Sequence, residues 1–153
     1  MSKKKKKNEV HIKRNGAFFN KGDKYRTGKF LSRKMQRLIN YRSSYEYAFL
    51  THIENDDNVV QFIVEPFSIP YVDASGLRRH YIPDCLVLYK TGHMELCEIK
   101  PSKMIKAINV KRKAMAAIRY IKDNKLKMTY RFITEQQLFK MDSSYRELLK
   151  DLK

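Results

Sequence analysis

Hydrophobic positions recur along the chain with two different periods, and the switches between them mark out the elements. From Ser43 to about Glu54, positions 46, 49, 50 and 53 follow the i, i+3, i+4, i+7 rule, and the last three are Phe49, Leu50 and Ile53. That spacing predicts an amphipathic helix. Ser43 followed by Glu46 has capping-box spacing, and Asn55-Asp56-Asp57-Asn58 ends the helix. Val59 to Val64 reads as a strand, and Phe67 to Val72 continues extended after Pro66. Asp73 to Gly76 is a turn, His80 to Tyr89 a second arm, and Thr91-Gly92 the turn into a strand over Met94 to Lys100. Pro101-Ser102 stops that strand. Residues 103–123 predict the longest helix, with Ile105, Ile108, Ala114, Met115, Ile118 and Ile121 near helical spacing and Asn124 closing it. Tyr130 to Thr134 predicts another strand, Thr134 caps a short helix from Glu135, and a last amphipathic helix covers about Ser143 to Leu152. Upstream, Leu31, Met35, Leu38 and Ile39 predict a short helix within 29–40. There is no internal repeat. This order predicts an α/β domain, with helices packed on a small mixed sheet.

Charge adds a second division. The 153 residues carry 33 Lys and Arg against 16 Asp and Glu, a formal +17. Residues 1–40 hold ten Lys and four Arg against Glu9 and Asp23, a net of +12, so 41–153 carry only +5. The division is a basic arm over 1–40 and a folded domain over 41–153. Lys3, Lys4, Lys5, Lys6 and Lys7, with Lys13 and Arg14, suit contact with a polyanion, where displaced counterions supply affinity without sequence preference. A plain solubility tail is the alternative. Phe18, Phe19, Tyr25 and Phe30, interleaved with Lys21, Lys24, Arg26 and Lys29, favour the polyanion. No run of eighteen apolar residues exists, and Met1 to Lys7 leads into no apolar segment, so neither a spanning helix nor a secretory signal is predicted. Cys85 and Cys97 lack CxxC spacing, which argues against a zinc site or a disulfide scaffold.

The chemistry lies in Tyr81-Ile-Pro-Asp84 and, fourteen residues after Asp84, Glu98-Ile-Lys100. Strand side chains alternate, so Glu98 and Lys100 share a face. Asp84 stands on the neighbouring strand, across a short turn, where partners come within about 5 Å. Two carboxylates so placed suit one hard divalent ion, which lowers the pKa of a water for attack on a phosphodiester. Lys100 then stands beside that water or the scissile phosphate. Glu46, on the axis of the apolar stripe of its helix, is the third candidate carboxylate, although capping alone also explains it. Glu65 is a weaker one. Arg78, Arg79 and His80 precede the Asp84 strand and suit phosphate contacts at the rim, or simple solvation. Lys106, Lys111, Arg112 and Lys113 continue the basic surface or form the solvated face of the long helix.

Asp84, Glu98 and Lys100, preceded by a helical Glu46, resemble the PD-(D/E)xK nuclease superfamily. More narrowly, Tyr41-Arg-Ser-Ser-Tyr-Glu46, Ile69-Pro-Tyr71, the Arg78 to Asp84 segment, Glu98-Ile-Lys-Pro101 and Phe132-Ile-Thr-Glu135 look like the head completion nuclease of T-even-type tailed phages. They are also similar to the catalytic domain of the heteromeric transposase endonuclease subunit. The resemblance covers about residues 41–138. It implies a restriction-endonuclease-like core with four or five strands in a mixed sheet. It also implies a Mg²⁺-dependent deoxyribonuclease, with Mn²⁺ able to substitute. Asp84 and Glu98 would hold the ion, with the Ile99 carbonyl a candidate extra ligand; Lys100 would be catalytic and Glu46 would assist. The phage family implies double-stranded DNA as partner, contact with portal or neck proteins, and a place at the head–tail neck of a virion or in the host cytoplasm during assembly. The transposase subunit usually carries a further C-terminal domain, for which 153 residues leave no room, so the expectation favours the phage setting. A head-closure protein with a vestigial site, and a transposase-type endonuclease subunit, are the alternatives.

Overall fold

The computed structural model describes the backbone strands 10–12 and 17–20 and all of residues 27–141. Lys3 to Lys7, Lys13, Arg14, Lys21, Lys24, Tyr25, Arg26, the side chains of Phe18 and Phe19, and the helix expected over 143–152 lie outside the described residues. The elements run β1 (Val10–Ile12), β2 (Ala17–Asn20), β3 (Gly28–Ser32), β4 (Arg37–Tyr41), α1 (Ser44–Asn55), β5 (Val59–Val64), β6 (Ile69–Val72), β7 (Arg78–Tyr81), β8 (Cys85–Tyr89), β9 (Met94–Ile99), a 3-10 turn at Ser102–Met104, α2 (Ile108–Asp123), β10 (Met128–Ile133) and α3 (Glu135–Met141).

The central sheet has the order β10-β9-β8-β5, with β10 parallel to β9 and the other pairs antiparallel. Its strand β9 is buried on both faces. Cys97 and Ile99 join one core with Tyr47, Leu50 and Ile53 of α1 and Leu138 of α3. Leu96, on the opposite face, joins a second core with Ile69, Tyr81 and Ala117 of α2. Alternate residues of one strand thus separate two helical layers. This mixed α/β arrangement, four strands with helices on both faces, agrees with the restriction-endonuclease-like expectation. No described helix is long and apolar enough to cross a membrane.

α1 begins as its sequence predicts. Ser43 Oγ accepts the Glu46 amide at 3.1 Å, and the Glu46 carboxylate returns to the Arg42 amide at 2.9 Å, one residue before the usual capping-box partner.

Three expectations need correction. The helix expected within 29–40 is the β3–β4 hairpin. Leu31 and Leu38 are cross-strand partners rather than neighbours on a helix face, and both are exposed, while Phe30 and Ile39 enter the α1 core. The tip of the hairpin is fastened to the end of α1. Glu54 accepts hydrogen bonds from Ser32 Oγ and the Arg33 amide, both at 2.7 Å. The Lys34 ammonium donates to the carbonyls of Ile53 and Asp56 at 2.8 and 2.6 Å, where a helix C-terminus favours a cation.

Secondly, the arm expected over His80 to Tyr89 is two strands in different sheets. β7 pairs with β6 in a separate hairpin and β8 lies in the central sheet. Pro83 stands between them and has no N–H to continue a ladder. Thirdly, the long helix starts at Ile108 rather than near 103, because Pro101 to Ala107 form the 3-10 turn and its exit. That turn is held by Glu135, which accepts from the Ser102 amide at 2.9 Å and from its hydroxyl.

Candidate active site

The site forms where β8 and β9 leave the central sheet at one end. The pairing of Cys85 with Cys97 sets Asp84 opposite Glu98, one step further out. Asp84 Oδ2 accepts the Ile99 amide at 2.7 Å, and its carbonyl accepts the Glu65 amide at 3.0 Å. Glu65 itself has a left-handed φ of 50°, so the chain turns sharply off β5 at the site. Glu98 and Lys100 share a face of β9, as alternation predicts, and the Lys100 ammonium lies 3.7 Å from Glu98 Oε1. Glu98 Oε2 accepts the Tyr81 hydroxyl at 2.6 Å, and the Tyr81 hydroxyl oxygen is 3.0 Å from the Tyr130 hydroxyl. The Lys113 ammonium rests over the rings of Tyr71 and Tyr81, 5.9 and 5.7 Å from their centres.

Burial dominates the electrostatics. Glu98 is 7% exposed. Loss of solvation, then the Asp84 charge beside it, raises its pKa to about 7, although the hydrogen bond from Tyr81 and the charges of Lys100 and Lys113 oppose the rise. Burial also raises Asp84, against the Ile99 amide and the Lys100 charge. Glu46 rises for the same first reason, and the Asp84 charge adds to it. Asp84 therefore feels, or is felt by, both other candidate carboxylates. Glu46, Asp84, Glu65 and Ile99 line one cleft of about 380 Å³. Arg42 closes its edge, 2.9 Å from Glu65 Oε1 and 3.9 Å from Glu46 Oε1.

Among the described residues, no group of three His, Cys, Asp or Glu side chains stands ready to hold a metal ion. Two carboxylates do converge. Each gives one oxygen to a protein donor, Oδ2 to Ile99 and Oε2 to Tyr81; of the other two, Glu98 Oε1 lies 3.7 Å from the Lys100 ammonium. A buried and a half-buried carboxylate whose pKa values are both raised are a donor set suited to a hard cation, whose charge would oppose both shifts.

The rim residues are arranged differently from the expectation. Arg79 is engaged by Asp73 rather than left for phosphate. Asp73, which opens the turn to Gly76, also accepts from Ser75 and from the Leu77 amide at 3.0 Å. These donors hold its carboxyl well below the usual range. Arg78 is exposed, and His80 Nδ1 is 3.3 Å from Ser68 Oγ; none of the three lines the cleft. Arg112 reaches the Val72 carbonyl at 3.4 Å, and Lys106 and Lys111 are exposed. Tyr81, Tyr130 and Arg42 join the site without a sequence pattern that marks them as site residues. Alternation along β10, paired with β9 in register, was the one available signal for Tyr130.

No curated protein matches the chain. A family model described as the TnsA-like endonuclease N-terminal domain matches residues 56–135, 80 of the 153 residues, and this segment contains Asp84, Glu98 and Lys100 but not Glu46 or the β1–β4 sheet. With its mixed sheet, two facing carboxylates and adjoining lysine inside that match, the chain belongs to the TnsA-like endonuclease N-terminal family.

Proposed function

We propose that the protein hydrolyses DNA phosphodiester bonds with a divalent ion, Mg²⁺ or Mn²⁺, held by Asp84 and Glu98. The observation that carries this reading is the pair itself: the buried Glu98 of β9 and the half-buried Asp84 immediately before β8, each fixed by a protein donor, with an ammonium group 3.7 Å from Glu98. A divalent ion there supplies Lewis acidity toward a phosphoryl oxygen and toward the attacking water. The Ile99 amide and Tyr81 hydroxyl fix the orientation of the two carboxylates. Lys100 brings positive charge to where negative charge grows on the phosphate. Glu46, on the α1 side of the cleft, accepts a proton or a hydrogen bond from solvent near Asp84. Burial keeps competing water away and strengthens these interactions.

Of the two settings the resemblance offers, the matched family is compatible with a transposase-type endonuclease subunit. Head completion at a portal or neck rests on the motif resemblance alone. The chemistry is the same in both. Plasmid nicking with Mn²⁺ or Mg²⁺ tests it. Wild-type protein nicks, Asp84→Ala and Lys100→Ala do not, and EDTA stops the reaction. Equal nicking by Asp84→Ala, or in EDTA, rejects the assignment.

A further inference from the structure

The family match begins at residue 56, so the β3–β4 hairpin lies outside the endonuclease segment. It nevertheless builds one wall of the cleft. Arg37, Leu38, Ile39 and Asn40, four consecutive residues of β4, line it together with Asp84. Successive strand residues point to opposite faces. A sheet presenting a face to the cleft would contribute every second residue. Four in a row mean that β4 presents its edge. The topology agrees, since among the described strands β4 ends its sheet, with β3 as its neighbour. The edge offers main-chain N–H and C=O groups, which proteins usually cover or blunt with charge. Here Arg37 stands at one end and Arg42 just past the other, and Arg37 and Asn40 are both exposed.

We infer that the β4 edge is a track for the sugar–phosphate backbone of one DNA strand as it runs to the Asp84–Glu98 site. This rests on the nuclease reading for its ligand class. From Arg37 to Arg42 the strand spans roughly 16 Å at its usual rise, the axial length of about five nucleotides of one strand. Main-chain amides and the Arg37 guanidinium then meet phosphates, and the Asn40 amide meets sugar or base edges. Continuity with the phosphodiester site and the exposed Arg37 guanidinium favour a nucleic-acid strand over an added peptide strand.

Binding is measured by fluorescence anisotropy in EDTA, where cleavage plays no part, on a short duplex at several salt concentrations. Arg37→Ala should reduce the steepness of log affinity against log salt by about 0.9 and weaken binding several-fold, with an unchanged melting temperature. Asn40→Ala should weaken binding without changing that slope, and Arg37→Lys should restore most of it. Neutral methylphosphonates, scanned one at a time along one strand, should weaken the wild type at one or two positions and leave Arg37→Ala unaffected there. An unchanged slope with no such coupling overturns the track and leaves the edge to a peptide strand. Because nicking is assayed separately, a protein that fails to cut but shows the coupling rejects the nuclease reading and keeps the track. One that cuts without the coupling does the reverse.

Discussion

The Tyr81 hydroxyl donates to Glu98 Oε2 at 2.6 Å from a strand that belongs to a different sheet. β7 thus orients a carboxylate of β9 without pairing with it. The bond also joins the small β6–β7 hairpin to the central sheet at the candidate site, and Tyr130 extends the contact to β10.

Tyr81→Phe removes that donor and, with it, the contact to the Tyr130 hydroxyl. Leaving a buried carboxylate with one donor fewer costs on the order of 1–3 kcal/mol in stability. The functional effect should be larger in the metal dependence than in DNA binding. We expect the Mg²⁺ concentration for half-maximal nicking to rise about tenfold while the affinity for duplex in EDTA is unchanged. Wild-type metal dependence in Tyr81→Phe would remove the positioning role.

The raised carboxylates predict how stability depends on pH. Glu98 titrates at about 7 in the fold, against an ordinary value of 4.5, so the folded state holds more protons than the unfolded chain between these values. Its contribution is fully present below about 4.5 and is lost as pH rises through 7; Asp84 and Glu46 shift the same way. In EDTA the melting temperature should therefore fall from pH 5 to pH 8. If Asp84 and Glu98 hold the ion as proposed, added Mg²⁺ should restore more of it at pH 8 than at pH 5, because the ionised pair is the form that would bind it. Glu98→Gln should flatten both trends. Asp73 has the opposite sign, since its depressed pKa gives stability above about 3.8 that is lost on acidification. Its window does not overlap that of Glu98. Thermal melts across pH, with and without Mg²⁺, measure all of this.

These particulars show what the sequence could reveal. Ser43 and Glu46 lie three residues apart in one turn, and the Glu98–Lys100 alternation is local to one strand, so both were legible. The Asp84–Glu98 pairing followed from a short turn and period-two geometry. The β3–β4 hairpin was not legible, because Leu31, Met35, Leu38 and Ile39 have the spacing of a helix stripe. The competing information is non-local. It sits in Glu54, twenty-two residues from Ser32, and in the α1 core that takes Phe30 and Ile39. Tyr81 escaped for a similar reason, since its partner Glu98 is seventeen residues away in another sheet.

Glu54 should therefore be worth more than its half-exposed position suggests. Glu54→Ala leaves the buried Ser32 hydroxyl and the Arg33 amide without their acceptor. Charged hydrogen bonds of this kind contribute about 1.5–3 kcal/mol each, and solvent replaces part of the loss at Arg33. We expect a destabilisation of about 2 kcal/mol by urea denaturation. Glu54→Gln, which keeps one carbonyl acceptor, should lose about half as much. A change below about 0.5 kcal/mol in Glu54→Ala would show that the hairpin is held by Phe30 and Ile39 alone.

Glu46 carries two roles that one pair of substitutions separates. As a cap, it needs only an oxygen to accept the Arg42 amide, 2.9 Å away. As a member of the cleft, it needs its charge near Asp84, against the burial that raises its pKa. Glu46→Gln keeps the acceptor and discards the charge, so its stability should stay within about 0.5 kcal/mol of wild type. Glu46→Ala discards both and should cost about 1 kcal/mol, the usual worth of a capping interaction. Nicking distinguishes the roles. If the charge acts at the site, both variants lose activity by tenfold or more at a temperature where both are folded. If Glu46 only caps α1, Glu46→Gln cuts at the wild-type rate. Because Ser43 Oγ still accepts the amide of residue 46 in either variant, the start of the helix survives, and a drop in nicking by Glu46→Gln reports on the cleft rather than on the fold.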